Sequence, residues 1–280
     1  TQALPLQGGE SPLVQSGIPG EDDRSYEEHY GRHMGAIGAD QDGEVVSVSP
    51  DGVKVRYADG TEKEHELYNH FPLNRKTYIH NTPVVQPGQK IKAGEILAKS
   101  NYTDAKGATA LGLNMRTAYL PFRGLNFEDA TVISRSAAKR LASEHMYQHD
   151  TEWDSNAKRG KNAFVSLFAS KFDRKTLDTM DDDGVVKPGT AVEAGAPLVL
   201  MAKERERAHN QVSRGKDSSF ADHSLTWDHH APGVVTDVAK TKKGVVVTVK
   251  SINEMQVGDK LSGRYGDKGV IADIIDDDDM

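Results

Sequence analysis

The sequence predicts a mainly β fold with minor α content, and three observations carry that expectation. Apolar and polar residues alternate with a period of two across long stretches, above all residues 43–67. Twenty-six glycines in 280 residues punctuate the chain with turns. A short corner motif also recurs: "PGQKIKAGEIL" at 87–97 and "PGTAVEAGAPL" at 188–198, with an echo in "INEMQVGDKL" at 252–261. The length suits one large domain or two interleaved ones.

Residues 1–36, rich in Gly, Pro and acidic side chains, read as an irregular lead-in that needs support from elsewhere. The chain begins with Thr1, as a fragment or a processed piece would. Residues 43–67 read as a β-meander turned at Pro50-Asp51-Gly52 and Ala58-Asp59-Gly60. Each copy of the corner motif reads as a strand, a tight turn needing a positive φ, and the start of the next strand. A carrier-domain meaning is disfavoured, because no modifiable lysine sits at these turns in a Met-Lys-Met-like setting. Val132 and Ile133 end a strand, Ser134 or Ser136 can cap, and a helix is expected over 137–146. Residues 150–230 turn polar and read as a surface excursion with one strand pair of its own. Strand alternation returns over 231–252 through Lys242-Lys243-Gly244, and the terminal "DDDDM" reads as solvated acidic surface or as a loop cut off from its continuation.

Composition excludes several classes. Without cysteine, neither disulfides nor thiolate metal sites can form, which fits a reducing compartment. No apolar run reaches the length of a membrane span, and no signal peptide is visible. With 35 Lys and Arg against 42 Asp and Glu, the net charge is -7, so any nucleic-acid contact must rest on a local positive patch.

Two stretches could carry chemistry. In Asn126-Phe127-Glu128-Asp129, adjacent carboxylates at a strand end or turn can reach one cation, and hard oxygen ligands suit Mg²⁺. The same pair also reads as plain acidic surface. In "GDKLSGRYGDKG" at 258–269, four glycines forbid a helix, so Lys260, Arg264 and Lys268 are presented from a tight loop. Glycine backbone lets phosphate oxygens approach main-chain amides, with lysine as a point charge and arginine as a bidentate grip. A solvated corner is the equal alternative. His145 and His149 lie four apart on the expected helix and His229 and His230 are adjacent, but no third ligand at supporting spacing makes a metal site of either pair.

Taken in order along the chain, these stretches closely resemble the β subunit of multisubunit DNA-directed RNA polymerase. The resemblance rests on "TQALPLQGGESPLVQSG" at 1–17, "ALGLNMRTAYLPFRGLNFEDA" at 110–130 and "VGDKLSGRYGDKGVI" at 257–271. It implies a double-psi β-barrel with hybrid-type β hairpins and an inserted flap-like module, facing a β′-type partner across the active site. It divides the chain into a lead-in near the active site (1–36), the first barrel and hybrid part with the carboxylate motif (37–149), a shortened flap-like module (150–232) and the second barrel part with the lysine loop (233–280).

The resemblance also implies site roles. Lys260 and Lys268 would contact the RNA 3′ end and the incoming nucleotide's phosphates, Arg264 would support their loop, and Gln2 would lie near the transcript. Glu128 and Asp129 would help position the second, weakly held Mg²⁺, while the partner supplies the main Mg²⁺ site. The implied partners are the β′-type subunit, the remaining β segments, DNA template, transcript and nucleoside triphosphates, in the cytoplasm of a bacterium or an infected host cell. Such a chain would be inactive alone, and its short reach matches a split or divergent, phage-type version. A scaffold that keeps the barrel without its chemistry is the alternative. Three departures stand out. Tyr265 replaces the family's histidine, Asp267 replaces its asparagine, and the stretch from Leu200 to Ser218 is shorter than the usual flap tip, which puts initiation-factor docking there in doubt.

Overall fold

The computed structural model describes residues 4–153, 156–204 and 220–280. The chain is mainly β and divides into two compact units, residues 146–252 and the remainder on either side of them. The elements used below are numbered along the chain. The first are α1 (Tyr26–His33), β1 (Gly43–Val48), β2 (Gly52–Tyr57) and β3 (Glu62–Glu66). Then come β4 (Ala130–Ser134), α2 (Arg135–Arg140) and β5 (Ser143–Glu152). Last are β6 (Gly233–Lys240), β7 (Gly244–Asn253), β8 (Lys260–Ser262) and β9 (Lys268–Ile275).

The meander forms as its alternation predicts, with β1, β2 and β3 antiparallel in sequence and Lys90–Ile91 paired on the outer side of β1. Its inward residues Val45, Val53 and Val55 pack with Leu97 into one core. On β3 the residue that turns inward is His65, whose ring nitrogen meets the Tyr57 hydroxyl at 2.6 Å. Burial, then the nearby Lys63 charge, holds His65 below its ordinary pKa.

The repeated motif is a repeated corner. Gly88, Gly189 and Gly258 all adopt positive φ, at 82°, 84° and 94°. Each donates its N–H to a carbonyl of a neighbouring strand: Val45 at 2.7 Å, Val235 at 2.7 Å and Ile271 at 2.8 Å. The turn behind each closes with the same i to i+3 bond, at 3.1, 3.3 and 3.1 Å.

Three stretches differ from what the pattern predicts. The lead-in holds the helix α1, started by a capping box in which Ser25 and Glu28 satisfy each other's backbone N–H groups. The helix expected over 137–146 is only α2, capped by Ser134, and β5 begins at Ser143. Good helix formers lose there because Glu144 and Met146 alternate inward, and the Glu144 N–H donates to the Pro5 carbonyl. His145 and His149 therefore lie on a strand, not on a helix face.

The polar excursion is the third difference. The described residues of 146–252 form three small sheets and two short helices around a core of Phe164, Leu198, Leu200, Trp227 and Val247, all almost fully buried. Its apolar residues come in short runs between charged turns, so average composition hides the core. The short tip between Leu200 and Ser218 falls mostly outside the described residues.

Candidate functional site: a lysine hairpin beside a carboxylate loop

The two motifs meet on one sheet, ordered β4, β9, β8. β4 runs parallel to β9 with Ala130 opposite Val270 and Thr131 opposite Ile271. Just before β4, the Asp129 carbonyl accepts the Val270 N–H at 2.8 Å. Gly269 is needed for this approach: a Cβ there would sit 2.6 Å from the Asp129 carbonyl oxygen and 2.8 Å from Thr131 Oγ1.

β8 and β9 form an antiparallel hairpin with Lys260 opposite Val270 and Ser262 opposite Lys268. Side chains of directly opposed residues share a face, as do residues two apart on one strand. Lys260 and Lys268 therefore project from the same face, while Leu261 and the fully buried Ile271 pack on the other into a core with Ile133 and Leu141. Both lysines are exposed, and neither makes an ion pair among the described residues.

The carboxylate loop is shaped by Asn126. Its Oδ1 accepts from the Phe122 N–H at 2.8 Å and its Nδ2 donates to the Leu120 carbonyl at 2.7 Å. Glu128 stands at φ 54°, a left-handed conformation that costs a non-glycine residue roughly 1–2 kcal/mol. Strain of this kind gathers where a loop must present particular groups. Glu128 and Asp129 are both exposed at the turn before β4 and make no ion pair among the described residues, so their oxygens suit a hard cation such as Mg²⁺. Around the two loops stand exposed aromatics: Tyr119, Phe127 and Tyr265.

Arg264 is held by the lead-in. It pairs with the Glu27 carboxylate and donates to the Val14 carbonyl at 3.1 Å, tying the hairpin tip to the lead-in. Glu27 is only 3% exposed, and its other oxygen accepts the Ser16 N–H at 3.2 Å. No local pattern announces this buried partner beyond the capping signature one residue away. Asp267 bends back over Gly263, where its carboxylate fills the space a Cβ would need, and it pairs with neither lysine among the described residues. Gln2 lies outside the described residues.

Fold and motif order together define a class, and the chain belongs to the family described as RNA polymerase Rpb2, domain 6, whose model matches residues 39–280. Over its whole length it is similar to the DNA-directed RNA polymerase subunit beta of Thermus aquaticus, at 32% identity and 26% of that protein's length. It is similar at 31% identity to the same subunit of Caldicellulosiruptor bescii, over 24% of its length, and at 28% to that of Treponema pallidum, over 25%. The chain thus spans about a quarter of the length of these relatives. Among the described residues, no helix is long and apolar enough to cross a membrane.

Proposed function

We propose that this chain is part of the catalytic core of a DNA-directed RNA polymerase, in which it supplies contacts to the RNA 3′ end and to the nucleotide phosphates. The observation that carries the reading is the β4–β9 pairing, which sets Asp129 against Val270 and so joins the carboxylate loop to the lysine hairpin. Membership of the polymerase family supports it. The β4, β9 and β8 strands belong, in this reading, to a double-psi β-barrel. The flap-like module that the resemblance implies at 150–232 is best identified with the compact unit 146–252.

Nucleotide addition moves negative charge onto a departing pyrophosphate, so groups that meet that charge without reorganising lower the barrier. Lys260 and Lys268, on one face of a rigid hairpin, are such groups: one holds the transcript end and the other the incoming phosphates. Glu128 and Asp129 would help hold a weakly bound Mg²⁺, which neutralises phosphate charge when present. Arg264 acts through the hairpin's position, because its guanidinium is spent on Glu27 and Val14. A β′-type subunit, the remaining β segments, template, transcript and nucleoside triphosphates complete the site.

The test is Lys260→Ala and Lys268→Ala in the reassembled polymerase. Each should slow nucleotide addition about 10²-fold, the scale of losing one preorganised donor, with assembly intact. Unchanged elongation by both variants would overturn the reading and leave a scaffold that keeps only the barrel.

A further inference from the structure

In the unit 146–252, β5 is the outer strand of a four-stranded sheet in which it borders β7. The segment after Trp227 runs beside it. Trp227 is fully buried and its indole N–H donates to the Ala231 carbonyl at 2.9 Å, which folds residues 228–230 into a tight bend. That bend carries Asp228 and His229 to His149 of β5. One ligand atom from each of the three lies within 4.8 Å of the others.

We infer that His149, Asp228 and His229 form a binding site for a borderline divalent transition-metal ion, zinc foremost. Two imidazoles and one carboxylate are a donor set for zinc and its neighbours, whereas Mg²⁺ and Ca²⁺ prefer oxygen alone. His149 Nε2 is buried and has no hydrogen-bond partner among the described residues, so β5 brings the group a ring nitrogen that none of them satisfies. Apolar walls surround the group. The Tyr147 ring lies 3.9 Å from that of His229, and Trp227 lies 4.6 Å from His229 and 5.4 Å from His149. A tetrahedral zinc with bonds of about 2.0–2.1 Å spaces its ligands roughly 3.4 Å apart. His229 Nε2 and an Asp228 carboxylate oxygen, 3.3 Å apart, already stand at about that spacing. Three protein ligands leave a further position for water or an outside group. The ion would pin the 227–231 bend to the edge of the sheet.

The experiment uses the full chain, free of any histidine tag, loaded with Zn²⁺, desalted and analysed for bound metal, with Co²⁺ as a spectroscopic substitute. One ion per chain and a tetrahedral Co²⁺ spectrum are expected. His149→Ala and His229→Ala should abolish retention, and His230→Ala, at the exposed neighbour, should keep it. Should the histidine variants misfold, Asp228→Asn at an exposed site decides: zinc should raise the thermal midpoint of the wild type and of His230→Ala, with affinity reduced more than about tenfold in Asp228→Asn. No retained metal, or retention and zinc-induced stabilisation that Asp228→Asn leaves unchanged, would overturn the site.

Discussion

The corner at Gly88 and its copies at Gly189 and Gly258 run alike for four residues and then part. Gly88-Gln89-Lys90-Ile91, Gly189-Thr190-Ala191-Val192 and Gly258-Asp259-Lys260-Leu261 share the positive φ, the donated N–H, an exposed third residue and an inward fourth. The third position holds Lys90, Ala191 and Lys260 in turn. The corner therefore folds with either lysine or alanine there, and Lys260 is not required by its own turn. The first two copies follow with a second glycine corner, at Gly94 and Gly195, that leads into a buried strand. The third instead opens into the hairpin tip that carries Arg264 and Lys268. One corner thus serves as framework twice and as a presenting device once.

The framework half of this comparison should break hardest in its cores. Leu97 and Leu198 end equivalent copies and are fully buried, so Leu97→Ala and Leu198→Ala should each cost about 2–5 kcal/mol in denaturant titrations. Next comes the presenting half. Lys260→Ala should lose about 10²-fold in nucleotide addition while its denaturation midpoint stays put, and Lys90→Ala at the matching place should leave the rate within twofold. An equal loss in both would erase the distinction. Smaller still, Gly88→Ala, Gly189→Ala and Gly258→Ala should each cost about 1–2 kcal/mol, since a Cβ meets nothing within 4 Å at any of them and only the positive φ is at stake. Clearly unequal costs would show that the three corners are not equivalent.

The smallest effect is a pH slope from the meander that the first corner joins. His65 has a native pKa depressed below its ordinary 6.5, chiefly by burial. The unfolded chain therefore takes up the proton first, and stability is lost as pH falls from about 6.5 toward the native value. His65→Phe should remove that part of the acid slope, as followed by denaturation at stepped pH.

The meander was legible because its alternation and turn residues act within a few positions of each other. So were the corners, where a glycine before a strand can be read locally. Ser134 as a cap was also legible, but the strand at 143–152 was not, because Glu144 and Met146 are held by groups distant in sequence. The same holds for the site. Nothing near Asp129 announces that its carbonyl will meet Val270, and the resemblance of ordered motifs implied only that the two stretches share a site. The same holds for the His149 group: His149 and His229 each belong to a short local pair in the sequence, and only the fold brings these residues, some 80 positions apart, together.

The parallel pairing of β4 with β9 also sets a timetable. Roughly 140 residues separate Ala130 from Val270, which at about 5–20 residues per second means some 7–28 seconds of synthesis. Throughout that interval β4 has emerged from the ribosome without the strand it pairs with in its sheet, while the whole of 146–252 is made and can fold. β9 must then enter beside a waiting open edge, a pairing of high contact order and correspondingly slow. In the seconds before its lysine hairpin exists, this open edge exposes the newborn chain to aggregation or to capture by a chaperone.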